Sequence, residues 1–169
     1  DKAIADICES ADVVFERHDD VCLSPIEDIR TGQNKLYTVF TPFMRNAATQ
    51  EVPAPRKNNF QNYFVGKIET PTAQLDTFQA NTNGMELLLR GGREEALAIM
   101  REPAFLQGYK DNRNLPAMEQ STSRLSAHHK FGTISIRESY HMAVKHAGKG
   151  SHFISELYWR NFYYYTAYH

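Results

Sequence analysis

The stretch SHFISELYWRNFYYY, from Ser151 to Tyr165, holds neither glycine nor proline and carries apolar or aromatic side chains around the whole circumference of a helix. A helix of that pattern needs neighbours on several sides, so the chain must pack helices against it. At about 100° per residue, Phe153, Glu156, Trp159, Arg160 and Tyr163 fall within about a third of the circumference, while Phe162 and Tyr165 lie largely opposite. An acid, an indole and a guanidinium therefore share one face. One account makes Glu156 and Arg160 a surface i, i+4 pair, worth about 0.3 to 0.5 kcal/mol, beside a core tryptophan. The other notes that charges set among apolar side chains usually meet a partner or a cavity, which makes the face a functional one.

The rest of the chain is long and apolar enough to supply such neighbours. With 169 residues, 41% of them hydrophobic and 12% aromatic, it suits one medium domain or two small pieces with a buried core. Apolar runs such as Leu87 to Leu89 are far too short to cross a bilayer, and no leader pattern opens the chain. A soluble, intracellular protein is expected. Cys8 and Cys22 lack metal-type spacing and read as buried thiols in a reducing compartment, with no metal site.

Local patterns place the elements. KAIADICESADVVFER gives helical spacing at Ala3, Ile4 and Ile7, then a short β-like run from Asp12 to Phe15. Thr41 followed by Pro42 predicts a hydroxyl-capped helix through about Thr49. Residues 51–82, with Pro53, Pro55 and Pro71 among many Asn, Gln and Thr, read as a connector. Beyond Gly84 the pattern is helical. Gly91 and Gly92 act as caps for a helix with Glu94 and Glu95 in its first turn and an apolar stripe of Ala96, Leu97, Ile99 and Met100. Ser135 and Gly148 bracket the penultimate helix as N-cap and stop.

Charge is unevenly distributed. Residues 1–30 carry nine acids and three bases, whereas 121–169 carry six bases, two acids and six of the seven histidines. The basic, aromatic-rich end suits a polyanion or phosphorylated cofactor, and equally a solvated charged face. Within it, Ser121, Thr122, Ser123 and Ser126 put hydroxyls around a helix start, with Arg124 adding charge. That pattern serves either an anion seat or ordinary capping.

Three separated motifs together resemble the DNA photolyase/cryptochrome family, and most of all its class I cyclobutane pyrimidine dimer photolyases. HDDVCLSPIEDIRTGQNKLYTVFTPFMRNA, with YTVFTPF at Tyr37 to Phe43, is similar to the passage out of the family's N-terminal α/β domain. TSRLSAHHKFGTIS is similar to its flavin phosphate-binding segment, and FISELYWRNFY to the helix carrying flavin and lesion contacts. The resemblance implies a mainly α fold: an incomplete FAD-binding helical domain preceded by the last α/β piece of the antenna domain. The implied divisions are 1–30 for that remnant, 31–82 for the connector and first helix, and 83–169 for the first half of the helical domain.

The same resemblance implies roles. Tyr109, the segment Thr122, Ser123, Arg124, Leu125 and Ser126, and Phe153, which stands where tryptophan is common, hold FAD. Glu156 hydrogen-bonds the damaged pyrimidine pair, Trp159 packs against the flipped dimer, Arg160 accompanies it, and Arg113 contacts phosphate. The implied activity is light-driven repair of ultraviolet-damaged DNA by an electron from reduced FAD, with the antenna chromophore unassigned. Glutamate at 156 points to the cyclobutane branch. Relatives are far longer, so the chain is expected to need a complementary chain or missing C-terminal helices, and to leave the Phe162 to Tyr165 side uncovered. A flavin- or DNA-binding cryptochrome-like module and an inactive interaction fragment are the alternatives.

Overall fold

The computed structural model describes residues 2–56, 59–67, 89–119 and 121–169. Every regular element among them is helical. The elements are α1 (Lys2–Ser10), α2 (Phe40–Ala47), α3 (Arg93–Arg101), a 3₁₀ turn (Ala104–Leu106), α4 (Tyr109–Asn112), α5 (Ser126–Phe131), α6 (Ile136–Ala147) and α7 (His152–Tyr168). No helix among the described residues is long and apolar enough to cross a membrane. Cys8 and Cys22 are free thiols, Cys22 buried and Cys8 half-buried.

The chain divides into two compact units, one of Asp1–Pro53 with Ile154–His169, the other of Ala54–Phe153. In the first, the middle of α7 forms the core with Leu23, Ile29, Phe43 and Ala47, contributing Ile154, Leu157, Tyr158 and Tyr165. Two polar anchors tie the loops before α2 to α7. The buried Asn161 accepts a hydrogen bond on Oδ1 from the Leu23 N–H at 3.2 Å. The Tyr165 hydroxyl donates to the Ile29 carbonyl and accepts from the Tyr37 N–H, both at 3.0 Å. Phe43 lies within 4.8 Å of the Tyr165 ring and 5.2 Å of Phe162, centroid to centroid.

Three expectations are corrected here. Asp12 to Phe15 forms no strand: Asp12 turns the chain at a φ of 54°, and Val14 beyond it is 84% exposed. A β-prone run with no partner strand has nothing to exchange ladder bonds with. Thr41 does not cap α2. The helix begins at Phe40 with Val39 at the N-cap and no side-chain cap, so Pro42 sits third in the first turn, where an N–H has no intrahelical acceptor to lose. Tyr165 is not left uncovered. It is 1% exposed, because its hydroxyl reaches backbone groups that helical periodicity cannot reveal, whereas Tyr163 is 66% exposed as expected of the open side.

In the second unit the caps follow the sequence. Gly92, at a φ of 107°, precedes α3, a backbone conformation that glycine adopts without Cβ strain. Ser135 caps α6 with a full capping box: its hydroxyl accepts from the Arg137 N–H, and Glu138 accepts from the Ser135 N–H. Glu138 also takes a two-pronged grip from Arg93, at 2.7 and 3.1 Å, which links α3 to the start of α6. The core holds Ala96, Phe105, Leu125, Ile134, Ile136, Met142, Ala143 and Phe153. The described parts of the connector, 51–56 and 59–67, hold no helix or strand, and its remainder lies outside the described residues.

Candidate functional site

In the second unit, the sequence TSRLS forms a tight loop rather than a helix cap. Arg124 has a φ of 53°, Leu125 takes the N-cap position of α5 and is 1% exposed, and Ser126 begins the helix with an exposed side chain. Of the two readings of these hydroxyls, ordinary capping of the helix is not what forms: Ser123 Oγ accepts from the Leu125 N–H at 3.2 Å, one residue before the helix. A left-handed arginine costs on the order of 1 kcal/mol. Its guanidinium donates to the Glu119 carbonyl at 2.9 Å, which closes the loop on itself.

Thr122, Ser123 and Arg124 line a cavity of about 680 Å³, whose wall also includes Phe105, Arg90, Glu95, Glu102 and Glu119. The wall is mixed in charge, so recognition there rests on individual donors rather than on a positive field. Two hydroxyls and a guanidinium are the donor chemistry that phosphate oxygens take.

Tyr109 and Phe153 come together. Their rings meet edge to face at 5.6 Å, and Phe105 packs on Phe153 at 5.2 Å and on Tyr109 at 6.2 Å. Phe153 is 3% exposed, so it supports Tyr109, whose ring is half-buried. The sequence reading missed Phe105, although its i, i+4 spacing to Tyr109 was the available signal. Arg113 closes α4 as its C-cap residue, half-buried.

In the first unit, Glu156, Trp159 and Arg160 are all half-buried on α7. Arg160 donates to the Val21 carbonyl and stands over the Tyr164 ring, 4.6 Å from its centroid. Trp159 stacks on Phe40 and, less closely, on Tyr163, with centroids 5.8 Å apart and an interplanar angle of 28°. The sequence reading missed Phe40, which lies 119 residues from Trp159 in the chain. It also missed Asn161, a buried polar residue on the helix face that otherwise reads as apolar.

A family model described as DNA photolyase matches residues 1–58. The deoxyribodipyrimidine photo-lyase of Escherichia coli strain K12 is 31% identical over 89% of this chain and 34% of its own length. The chain belongs to the DNA photolyase family. The deoxyribodipyrimidine photo-lyase of Streptomyces griseus is 32% identical over 86% of the chain and 32% of its own length, and that of Halobacterium salinarum 29% identical over 96% and 37%. This photolyase-family chain thus spans about a third of the length of the curated relatives it matches.

Proposed function

We propose that the chain supplies part of the flavin- and DNA-binding machinery of a light-driven enzyme that repairs cyclobutane pyrimidine dimers, acting inside the cell with further photolyase helices or a complementary chain. The observation that carries this reading is the half-buried face of α7, on which Glu156, Trp159 and Arg160 stand within two turns of helix. Those are the residue types the task needs. An indole face returns about 1 to 3 kcal/mol of stacking to a base taken out of the duplex, against an extrusion cost of a few kcal/mol that damage lowers. A carboxyl in hydrogen-bond reach of the pyrimidine pair stabilises charge as it develops there.

The residues of the second unit fit the cofactor that the family implies. Thr122, Ser123 and Arg124 would hold the FAD pyrophosphate, and Tyr109, supported by Phe153, would pack against the cofactor. Bound reduced FAD supplies the light-driven electron. Arg113 and Arg160 would neutralise DNA phosphates.

The test is to purify the chain alone and with candidate partner chains, record flavin spectra, and follow dimer loss in ultraviolet-treated oligo-dT under blue light. Flavin uptake with light-dependent loss of dimers supports the reading. Absence of both with every partner overturns it. Trp159→Ala should weaken binding to damaged oligo-dT about 5- to 150-fold while sparing flavin, given 1 to 3 kcal/mol per stacked base. Unchanged discrimination between damaged and intact DNA would remove Trp159 from the site.

A further inference from the structure

We infer that Phe40 is a positioning residue for Trp159: it backs one face of the indole and fixes the plane that the ring presents to a nucleobase. The inference rests on the reading of Trp159 as a damaged-base contact. The two rings are nearly parallel, with an interplanar angle of 9° and centroids 3.7 Å apart. Unconstrained aromatic pairs settle offset or edge to face, about 4.5 to 7 Å apart. A stack this close therefore consumes one face of the indole.

The backbone explains the placement. Val39 is extended, at a φ of −126° and a ψ of 136°, and the next residue is the first of α2, so Phe40 is held at a helix start and not on a free loop. Phe162 closes the corner edge-on, 6.0 Å from Phe40 at 66° and 6.0 Å from Trp159 at 74°. Two rings on different elements thus set the indole plane, and a third, Tyr163, itself 66% exposed, lies against the indole at 5.8 Å and 28°.

A pre-set indole spares an incoming base the cost of ordering it. That cost for one side chain corresponds to a roughly 2- to 10-fold effect on affinity. Phe40 touches no DNA to exert it.

Trp159 is the only tryptophan in the chain, so its fluorescence reads this ring alone. The experiment measures tryptophan anisotropy decay in the full chain, then titrates with ultraviolet-irradiated and intact oligo-dT. Variants are Phe40→Tyr, which keeps a stacking ring, and Phe40→Leu and Phe40→Met, which keep apolar bulk without one. Leu and Met should add fast local motion of the indole and weaken binding to irradiated oligo-dT 2- to 10-fold, and Tyr should restore both. If both aliphatic variants keep wild-type indole motion, or if Tyr loses as much as Leu, Phe40 does not position the ring. If the wild type makes no distinction between irradiated and intact oligo-dT, it is the damaged-base reading of Trp159 that falls.

Discussion

Replacing Tyr165 with phenylalanine removes one oxygen and takes a hydrogen bond from each of two backbone groups. The hydroxyl donates to the Ile29 carbonyl and accepts from the Tyr37 N–H, each at 3.0 Å. Ile29 is 1% exposed, but its carbonyl also accepts from the Arg30 guanidinium at 3.0 Å, so it keeps a partner and loses one ordinary hydrogen bond, about 0.5 to 1.5 kcal/mol. Tyr37 is half-buried, and its N–H should recover part of its loss from solvent, leaving about 0.5 to 1 kcal/mol. The ring still packs on Phe43 and Phe162, so no cavity term is added. Tyr165→Phe should therefore destabilise the unit by about 1 to 2.5 kcal/mol. Urea unfolding followed by the fluorescence of Trp159, which lies in the same compact unit, measures that unit's midpoint. Tyr163→Phe is the matched control: at 66% exposure it should change stability by less than about 0.5 kcal/mol. A Tyr165→Phe variant as stable as that control would refute the claim that this hydroxyl holds the loop to the helix.

Two further outcomes follow from single polar groups. Arg93 foremost, with the Ser135 N–H assisting, holds the Glu138 carboxyl below the ordinary carboxylate range. A depressed carboxylate contributes stability that is complete above its unfolded pKa and fades as pH falls through the folded one. Glu138→Gln should keep the capping-box bond and flatten the acid limb of a melting-temperature profile, while Glu138→Ala should also lose about 1 kcal/mol of cap at neutral pH. Identical acid limbs in wild type and Glu138→Gln would contradict the assignment. Asn161→Leu leaves the Leu23 N–H, on a fully buried residue, without its acceptor and should cost about 1 to 3 kcal/mol in urea; a neutral result would mean that the bond is replaceable.

What was legible in the sequence was local. Gly92, Ser135 and Gly148 mark helix ends through the conformation or hydroxyl of one residue: α3 begins after Gly92, and α6 runs between Ser135 and Gly148. The face shared by Glu156, Trp159 and Arg160 follows from helical spacing alone, and all three are half-buried. What was not legible depends on partners distant in the chain. A β-prone run is a strand only beside another strand, and Asp12 to Phe15 has none among the described residues. Tyr165 reads as a ring on an open side until Ile29 and Tyr37 arrive at its hydroxyl. Phe40 has no periodic relation to Trp159 at all.

The loop closed by Arg124 has a consequence for how occupancy of the neighbouring cavity would be felt. A guanidinium carries five N–H donors, and the Glu119 carbonyl engages only part of that valence. An acceptor arriving in the cavity can be taken up by the same side chain that latches the loop, so occupancy and latching are additive rather than rival. The loop would tighten as it fills, and slower amide exchange through the segment would accompany a ligand that touches only one of its side chains.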